Sequence, residues 1–364
     1  MIRMNYWRKN RGKLTIMAIL MAVAMIFWIG CAQEQQSPVS PDSGEQDIVL
    51  KLDDASVQAA LTIQEQHTDE LMAVEGVVGV ATGMTEDGQP AILILTEREL
   101  QTRALAKSAP LPAEIEGVPV RELVTGEIKA LKGGPPGGGG GGFDPTAKHR
   151  PAPNGVSLGH FNITAGTLGC LVQNGGNTYI LSNNHVMADE NQANNNDNIL
   201  QPGPYDGGSN PGDQIASLSN YVPIVFSTSA NNTVDAAIAS VNSNDVTGES
   251  PDYGPPRTAT VAAAVNMRVM KSGRTTGFTK GRVQGINATV NVGYSSGTAR
   301  FVGQIVIGGG GFSSGGDSGS LIVVEKGGDA RKPVGLLFAG GGGTTIANPI
   351  NNVLSAFGVS IVGN

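Results

Sequence analysis

The sequence predicts a mostly β protein in which an antiparallel barrel or sandwich follows a small α+β domain. A glycine-rich segment at 133–142 divides the chain, and beyond residue 143 short apolar runs alternate with turns rich in Gly, Asn, Pro and Ser. Many short strands separated by such turns are typical of all-β barrels and sandwiches. A basic and then apolar N-terminus also indicates that the chain is exported.

The N-terminus predicts a signal peptide over residues 1–30. A basic region is followed by an apolar run over 14–30, and at 17 residues this run is short for a spanning helix. Cys31 follows a small residue and resembles the lipobox cysteine of bacterial lipoproteins, which becomes lipidated, although Trp28 stands where that pattern usually has Leu. An uncleaved signal anchor is the alternative, and the polar residues 31–47 suit a tether in either case.

The net charge and the number of cysteines limit the classes of function that the protein can have. Residues 1–30 hold five basic and no acidic residues, so the remainder has 19 basic and 31 acidic side chains, a net charge of −12. This acidity argues against a nucleic-acid partner. The second cysteine, Cys170, lies in an apolar run and is predicted to be a buried small residue. No intramolecular disulfide is expected if Cys31 is lipidated.

Residues 48–132 are predicted to form the small α+β domain, a possible pro-segment with no group of residues suited to chemistry. Helical spacing covers 54–72, strand-like runs cover 77–81, 91–95 and 118–128, and 97–107 is a second candidate helix. The Gly- and Pro-rich residues 133–154 form a linker that is easily cleaved.

The main domain is predicted over residues 155–364, with a terminal helical turn over 352–357. Its predicted strands are 167–172, 178–181, 222–226, 234–241, 259–265, 268–270, 282–290, 301–306, 320–324, 334–338 and 359–362.

The candidate nucleophile is Ser318, which lies between Gly316-Asp317 and Gly319-Ser320. Glycines allow a tight turn that exposes a serine and brings backbone N–H groups close to a substrate carbonyl. In a chain with 52 glycines, such a pentapeptide could also be a flexible loop.

Two residues upstream could activate this serine. His185 follows a strand-like segment at 179–182, beside a polar loop, where a general base can face a cleft. Asp235 lies in the apolar strand 234–239, where a charge is costly unless it has a partner. Each could be a structural residue when taken alone, but the order His185, Asp235, Ser318 supports a catalytic triad.

Four motifs in order resemble the chymotrypsin-like serine peptidases, in particular the secreted bacterial type that includes alpha-lytic protease and the streptogrisins. The motifs are the histidine segment 182–186, the strand 235–238, the turn 316–319, and residues 271–281, which resemble a signature turn of the bacterial group. The similarity extends over roughly residues 155–362.

This resemblance implies two six-stranded antiparallel barrels with a cleft between them. His185 would take the proton of Ser318, Asp235 would orient His185, and the N–H groups of Gly316 and Ser318 would form the oxyanion hole. The strand at 334–340 would pair with the substrate backbone. The implied pocket residues are Phe312, Phe338, Ala339 and Gly340.

The sequence also departs from the family pattern. Val186 replaces the usual cysteine after the histidine, and Ser320 replaces the usual second glycine. Phe312 stands where an aspartate would select Lys or Arg, so apolar or small substrate side chains are expected. No activation terminus is visible, and we therefore expect Lys271 to pair with Asp317 and to support the oxyanion turn.

The sequence therefore predicts an exported serine endopeptidase that forms an acyl-enzyme, as a membrane-anchored lipoprotein facing the periplasm or the cell exterior. It is expected to act on polypeptides as a monomer, without a cofactor or metal. The alternative is a catalytically silent surface binding module on the same fold, favoured by the Asn- and Gly-rich loop 191–210 and the missing disulfide. A metal-dependent hydrolase has little support, because no His/Cys/Asp cluster has ligand spacing.

Overall fold

Two β-sheets carry the fold, in a computed structural model that describes residues 48–100, 111–133 and 142–364. The prediction of a mostly β chain is confirmed. The signal peptide, the tether, most of the candidate helix at 97–107 and most of the glycine-rich linker lie outside the described residues. Within the described ranges, no helix combines the length and the apolar character needed to cross a bilayer.

The described residues of the N-terminal part contain one long helix and five strands, and the predicted helix at 54–72 and strands at 77–81 and 91–95 are confirmed. In chain order these elements are α1 (Ala55–Met72), β1 (Val77–Met84), β2 (Pro90–Thr96), β3 (Glu114–Ile115), β4 (Val118–Val124) and β5 (Lys129–Ala130). The buried residues of α1 recur every three or four positions, so one face of the helix packs on the sheet. The predicted strand at 118–128 ends four residues early, and β5 is a separate strand.

The remaining elements lie beyond residue 142. They are β6 (Ser157–His160), β7 (Gly166–Thr167), β8 (Cys170–Asn174), β9 (Asn177–Ser182), α2 (Asn184–Met187), β10 (Asn198–Leu200), β11 (Gln214–Tyr221), β12 (Ala237–Val241), β13 (Arg268–Gly273), β14 (Gly277–Tyr294), β15 (Gly297–Gly308), β16 (Leu321–Val324), β17 (Pro333–Gly341), β18 (Thr344–Pro349), α3 (Ile350–Phe357) and β19 (Ser360–Ile361). The helical turn predicted near the C-terminus is confirmed as α3.

Two predicted strands are wrong, because their backbone groups find partners outside a β-ladder. In 222–226, the N–H groups of Ile224 and Val225 donate to the side chains of Asn191 and Asn232, both at 2.9 Å. In 259–265, pairing is limited to an isolated bridge between Val265 and Leu50 and single backbone bonds. Apolar composition alone therefore overpredicts strands here.

Sheet I contains eight antiparallel strands in the order β19-β8-β9-β12-β11-β10-β6-β7. Strands β9 and β12 are neighbours, with Ser182 opposite Ala237. This pairing places the chain after β9 beside the chain before β12, and those two positions carry His185 and Asp235.

Sheet II contains eleven strands and includes a closed ring. Ten of its strands follow the order β13-β16-β17-β18-β15-β14-β1-β2-β4-β3, and the eleventh, β5, pairs with β14 and β17. Strand β13 also pairs with β14, so β13 to β18 close on themselves. Strand β1 pairs with β14 through Gly79 and Val290, which extends the sheet into the N-terminal part. Residues 48–364 accordingly form one compact unit.

An apolar cluster joins the two sheets. It combines Cys170 and Ile238 from sheet I with Leu321 and Leu336 from sheet II, and α3 covers one side through Val353. The residues predicted to do chemistry lie where the sheets meet, on the segments that follow β9, precede β12 and connect β15 to β16.

Candidate active site

His185 and Asp235 form a buried hydrogen-bonded pair. His185 lies on α2, and its Nδ1 is 2.6 Å from Oδ2 of Asp235. The His185 backbone N–H donates to the other carboxylate oxygen at 3.2 Å, and both side chains are almost completely buried. A carboxylate on Nδ1 holds the proton on that nitrogen, so Nε2 is the free acceptor that a general base needs.

Three further groups hold Asp235 in place. The Tyr294 hydroxyl donates to Oδ2 at 2.9 Å, Asn183 donates its amide to the backbone oxygen at 2.7 Å, and the backbone N–H donates to Asn348 at 3.0 Å. Burial and the charge of Asp235 raise the pKa of Tyr294 well above its ordinary value, so the phenol stays protonated and donates. Sequence reasoning missed Tyr294 and Asn348, because nothing local marks a tyrosine at a hairpin end or an asparagine in a strand.

Ser318 lies on the predicted tight turn between β15 and β16. Gly316 and Gly319 have φ values of +100° and +97°, which favour glycine. The Ser318 backbone oxygen accepts from Thr167 N–H at 2.8 Å. A Cβ added at Gly166 would lie 2.4 Å from Val186 and 3.0 Å from the Ser318 backbone oxygen, so the chains that carry His185 and Ser318 are neighbours.

The Ser318 hydroxyl forms no hydrogen bond with His185 in this structure. It donates to the backbone oxygen of Phe338 at 3.0 Å. His185 Nε2 is buried without a hydrogen-bond partner among the described residues. The structure thus brings His185 and Asp235 into contact and places Ser318 nearby in a rotamer that leaves Nε2 unpaired.

Asp317 and Lys271 form the ion pair expected from the sequence. Their charged atoms are 3.4 Å apart, and both side chains are fully buried. Asp317 also accepts hydrogen bonds from the N–H groups of Thr275 (2.8 Å) and Ser314 (2.9 Å). Burial lowers the pKa of Lys271, and the charge of Asp317 opposes this shift. The pair anchors the turn that carries Ser318 to strand β13 and the loop after it.

The structure contains a second buried ion pair, between Arg274 and Asp206, which the sequence did not predict. Arg274 Nε donates to Asp206 Oδ2 at 2.8 Å, and the same oxygen accepts from Ser157 at 2.5 Å. The Arg274 backbone N–H donates to Thr167 Oγ1 at 3.0 Å. Because Asp206 lies in a Gly/Pro-rich loop of sheet I, its sequence context resembles that of an ordinary loop residue. The pair fastens this loop to the signature turn of sheet II.

The predicted oxyanion and pocket residues surround a segment of the chain itself. Gly316 N–H donates to the backbone oxygen of Leu131 at 2.9 Å, and Leu131 N–H donates to Phe338 O at 3.3 Å. Phe312 is buried in a cluster against which Leu131 packs, and a Cβ on Gly340 would lie 3.4 Å from Leu131 Cδ1. The Phe338 side chain packs in another apolar cluster, where its ring centroid is 4.8 Å from that of Phe301. Phe338 therefore contacts Leu131 through its backbone oxygen rather than through its ring. Ala339 lies on the same strand and pairs with Ala130.

The other sequence candidates lie away from this arrangement. Burial raises the pKa of the Cys170 thiol to about 12, and its predicted burial is confirmed. His160 is buried, and its Nε2 is 3.2 Å from Oδ2 of Asp197. His67 lies on α1, and its Nε2 is 2.8 Å from Oε1 of Glu116. Cys31 lies outside the described residues. Across the described residues, no group of His, Cys, Asp and Glu has the arrangement of a metal site.

A cavity of about 420 Å³ lies between α1 and sheet II, and it contains none of these residues. Its lining includes Leu61, Ile305 and Val334, which belong to the apolar packing under the helix.

Comparison with known proteins finds similarity to bacterial proteases. Residues 255–348 match a family model described as the Nal1 C-terminal domain. Among solved structures, Protease A of Thermobifida fusca is 22% identical over 58% of this chain and 100% of its own, with a TM-score of 0.42. Nocardiopsis protease is 17% identical over 58% of this chain and 99% of its own, with a TM-score of 0.40. Cellulomonas bogoriensis chymotrypsin is 19% identical over 58% of this chain and 98% of its own, with a TM-score of 0.38.

No curated protein matches this chain. The solved structures to which this chain is similar are proteases of the same group that its sequence motifs resemble.

Proposed function

We propose that the chain is an exported serine endopeptidase with a chymotrypsin-like double barrel. Sheets I and II would each supply one barrel, with His185 and Asp235 carried by the first and Ser318 by the second. The closed ring of β13 to β18 and the apolar cluster between the sheets support this arrangement.

One observation carries the proposal. A peptide carbonyl, that of Leu131, accepts a hydrogen bond from Gly316 N–H, two residues from Ser318. Close by lies His185, an imidazole oriented by a buried carboxylate, with Nε2 unpaired within the described structure. A nucleophile, an oriented base and a donor for a developing oxyanion are the three groups that acyl transfer requires.

The reaction would begin when Ser318 turns its hydroxyl from Phe338 O towards His185 Nε2. His185 would take the hydroxyl proton as Oγ attacks a substrate carbonyl, and Asp235 would stabilise the imidazolium. The N–H groups of Gly316 and Ser318 would bind the oxyanion, and loss of one such donor costs roughly 3 kcal/mol in related chemistry. His185 would then protonate the leaving amine, and water would hydrolyse the Ser318 ester.

The Lys271–Asp317 pair would support the turn. Two charges buried together are costly to separate, because removing one partner leaves the other unpaired in a low dielectric. The pair would hold Gly316 N–H aimed at the oxyanion before substrate arrives, so no reorganisation would be needed during the reaction.

A catalytically silent binding module is the second candidate. The Ser318 rotamer favours it, since the hydroxyl donates to Phe338 O and leaves His185 Nε2 without a partner among the described residues. In this alternative the cleft would bind extended peptides through strand β17 without cutting them.

Labelling with a fluorophosphonate separates the two candidates, because this reagent reacts with an activated serine. Leu131 lies against the predicted site, so the reagent is applied to the wild type and to Leu131→Asp, each with and without Ser318→Ala. Ser355→Ala, at an exposed position on α3, is the control for nonspecific labelling. We expect Ser318-dependent labelling in at least one background, and its absence from both folded proteins would exclude the peptidase.

Export and membrane anchoring belong to the same proposal. They rest on the basic and apolar residues 1–30 and on Cys31. Incorporation of labelled palmitate in a bacterial host, lost in Cys31→Ser, is the expected result. We further propose a polypeptide substrate, a monomeric enzyme and no cofactor.

A further inference from the structure

The segment 127–133 enters the predicted cleft, and its residues Lys129–Ala130 form strand β5. β5 lies between β14 and β17, with Lys129 opposite Gly340 in an antiparallel pairing and opposite Gly293 in a parallel one. Addition of an extended segment to a sheet edge is a general mode of peptide recognition, in which backbone hydrogen bonds supply affinity and side-chain sites supply specificity.

Leu131 is held beside Ser318 by hydrogen bonds at both its carbonyl and its amide group. Its backbone oxygen accepts from Gly316 N–H at 2.9 Å, and its N–H donates to Phe338 O, which also accepts from the Ser318 hydroxyl. The chain turns at this point, because Lys132 N–H donates to Ala130 O at 3.0 Å. The Leu131 carbonyl is therefore held close to both the oxyanion donor and the nucleophile.

The Leu131 side chain lies in an apolar site. It packs, half-buried, against the cluster that contains Phe312 and Leu337, and Gly340 leaves room for its Cδ1. An apolar site of this size accepts a branched aliphatic side chain and disfavours a charged one, whose desolvation would be uncompensated.

Lys132 lies in a distinct acidic site. Its Nζ is 2.6 Å from Glu190 Oε1 and donates to Ser295 Oγ at 2.7 Å. Glu190 is buried in the loop after α2, and it accepts from the N–H groups of Ser295 (3.2 Å) and Ser296 (2.7 Å). The carboxylate is thus fixed by the β14–β15 turn, in position to meet a basic residue.

We propose that the enzyme cuts its own chain between Leu131 and Lys132, and that it selects leucine before and lysine after the bond it cuts. The inference rests on the proposed function. Ser318 Oγ forms an ester with the Leu131 carbonyl carbon while the bond to Lys132 N breaks, and His185 passes the serine proton to that nitrogen. Water then hydrolyses the ester, which leaves a carboxylate on Leu131 and a new amino terminus on Lys132.

The first experiment follows the cut in the full chain. Intact mass and N-terminal sequencing are recorded for wild type, Ser318→Ala, Leu131→Met and Leu131→Asp. We expect a product that begins at Lys132 in wild type and Leu131→Met, at least about tenfold less of it in Leu131→Asp, and none in Ser318→Ala. A cut at another bond, or a cut before Lys132 that persists in Ser318→Ala, would overturn the inference.

The second experiment separates this inference from the proposed function. Cleaved enzyme receives synthetic peptides spanning residues 127–136, with Leu-Lys, Leu-Glu or Asp-Lys at the central bond. We expect the Leu-Lys peptide to be cut roughly tenfold or more faster than the other two, and Glu190→Gln to reduce the preference for Lys over Glu. Ser318-dependent fluorophosphonate labelling with equal cleavage of all three peptides would retain the peptidase and reject the specificity.

Discussion

Tyr294 donates its hydroxyl to the same oxygen of Asp235 that contacts His185 Nδ1, at 2.9 Å. Tyr294 ends the longest strand of sheet II, whereas Asp235 lies just before a strand of sheet I. The hydrogen bond therefore connects the two sheets at the residue that orients the candidate base. It also stabilises the charged carboxylate in a site closed to solvent.

Replacement of Tyr294 by Phe tests this connection. We expect kcat/KM to fall roughly tenfold, which corresponds to the loss of one hydrogen bond to a charged group. The measurement is the rate of peptide hydrolysis at neutral pH. Tyr221→Phe is the matched control, and an unchanged kcat/KM in Tyr294→Phe would contradict the positioning role.

Replacement of Lys271 by Met tests the support of the oxyanion turn. The change leaves the buried Asp317 carboxylate without its counter-charge, so we expect a loss of about 3–5 kcal/mol in the free energy of unfolding and a large loss of activity. Lys271→Met/Asp317→Asn should recover part of the stability. Lys280→Met, which removes an exposed lysine paired with Glu325 at 2.8 Å, should cost about 1 kcal/mol or less. Urea unfolding supplies these numbers, and unchanged activity in Lys271→Met would show that the pair is dispensable.

The turn geometry predicts different outcomes for two glycine substitutions. A Cβ on Gly319 would lie 2.1 Å from Ser182 Oγ and 2.2 Å from Thr167 O, and its φ is +97°. We expect Gly319→Ala to lose more than about 4 kcal/mol or to fail to fold. Gly343 has a φ of +86° but no atom within 4 Å of an added Cβ, so Gly343→Ala should cost only about 1–2 kcal/mol. Thermal unfolding compares the two, and equal melting temperatures would argue against the close packing of the turn.

The Lys132–Glu190 pair gives a pH-dependent stability in the uncut chain. Burial favours the neutral acid, but the hydrogen bonds from Lys132 and Ser296 prevail and lower the pKa of Glu190. The ionised carboxylate therefore stabilises the fold above its unfolded pKa of about 4.3, and this contribution is lost as the pH falls through the lower folded value.

In the Ser318→Ala background, we expect Glu190→Gln to cost about 1 kcal/mol at pH 7 and progressively less below about pH 4. Glu249→Gln, at an exposed position, serves as the control. Urea unfolding at both pH values measures the difference. A cost from Glu190→Gln that does not change with pH would contradict an ionised pair.

The sequence predicted the elements whose signal is local. Asp235 stood out because an acid in an apolar strand needs a partner, and the structure gives it His185 and Tyr294 as partners. Lys271 and Asp317 were paired from the resemblance, and they form a buried ion pair. The glycines around Ser318 indicated a tight turn, and their positive φ values explain why that segment requires them.

The missed features depend on residues that are distant in sequence. Arg274 and Asp206 are 68 residues apart, so no local pattern connects them. The pairing of Lys129 with Gly340 and Gly293 depends on where the N-terminal part docks. The sequence predicted a single strand over 118–128 because the apolar pattern of this segment continues beyond Val124. The sequence around Ser318 likewise does not predict the rotamer of its side chain, which donates a hydrogen bond to Phe338 O.

The central claim is that Ser318 forms an acyl-enzyme with His185 as its base. The direct measurement is rapid mixing with a leucine p-nitrophenyl ester, followed by intact mass, on wild type and on Leu131→Asp. The account predicts a burst of one equivalent of p-nitrophenol and a transient acyl group on Ser318. We expect neither in Ser318→Ala, and a rate lower by a factor on the order of 10⁶ in His185→Ala. A folded chain that gives no burst and no Ser318 adduct in either background would contradict the account.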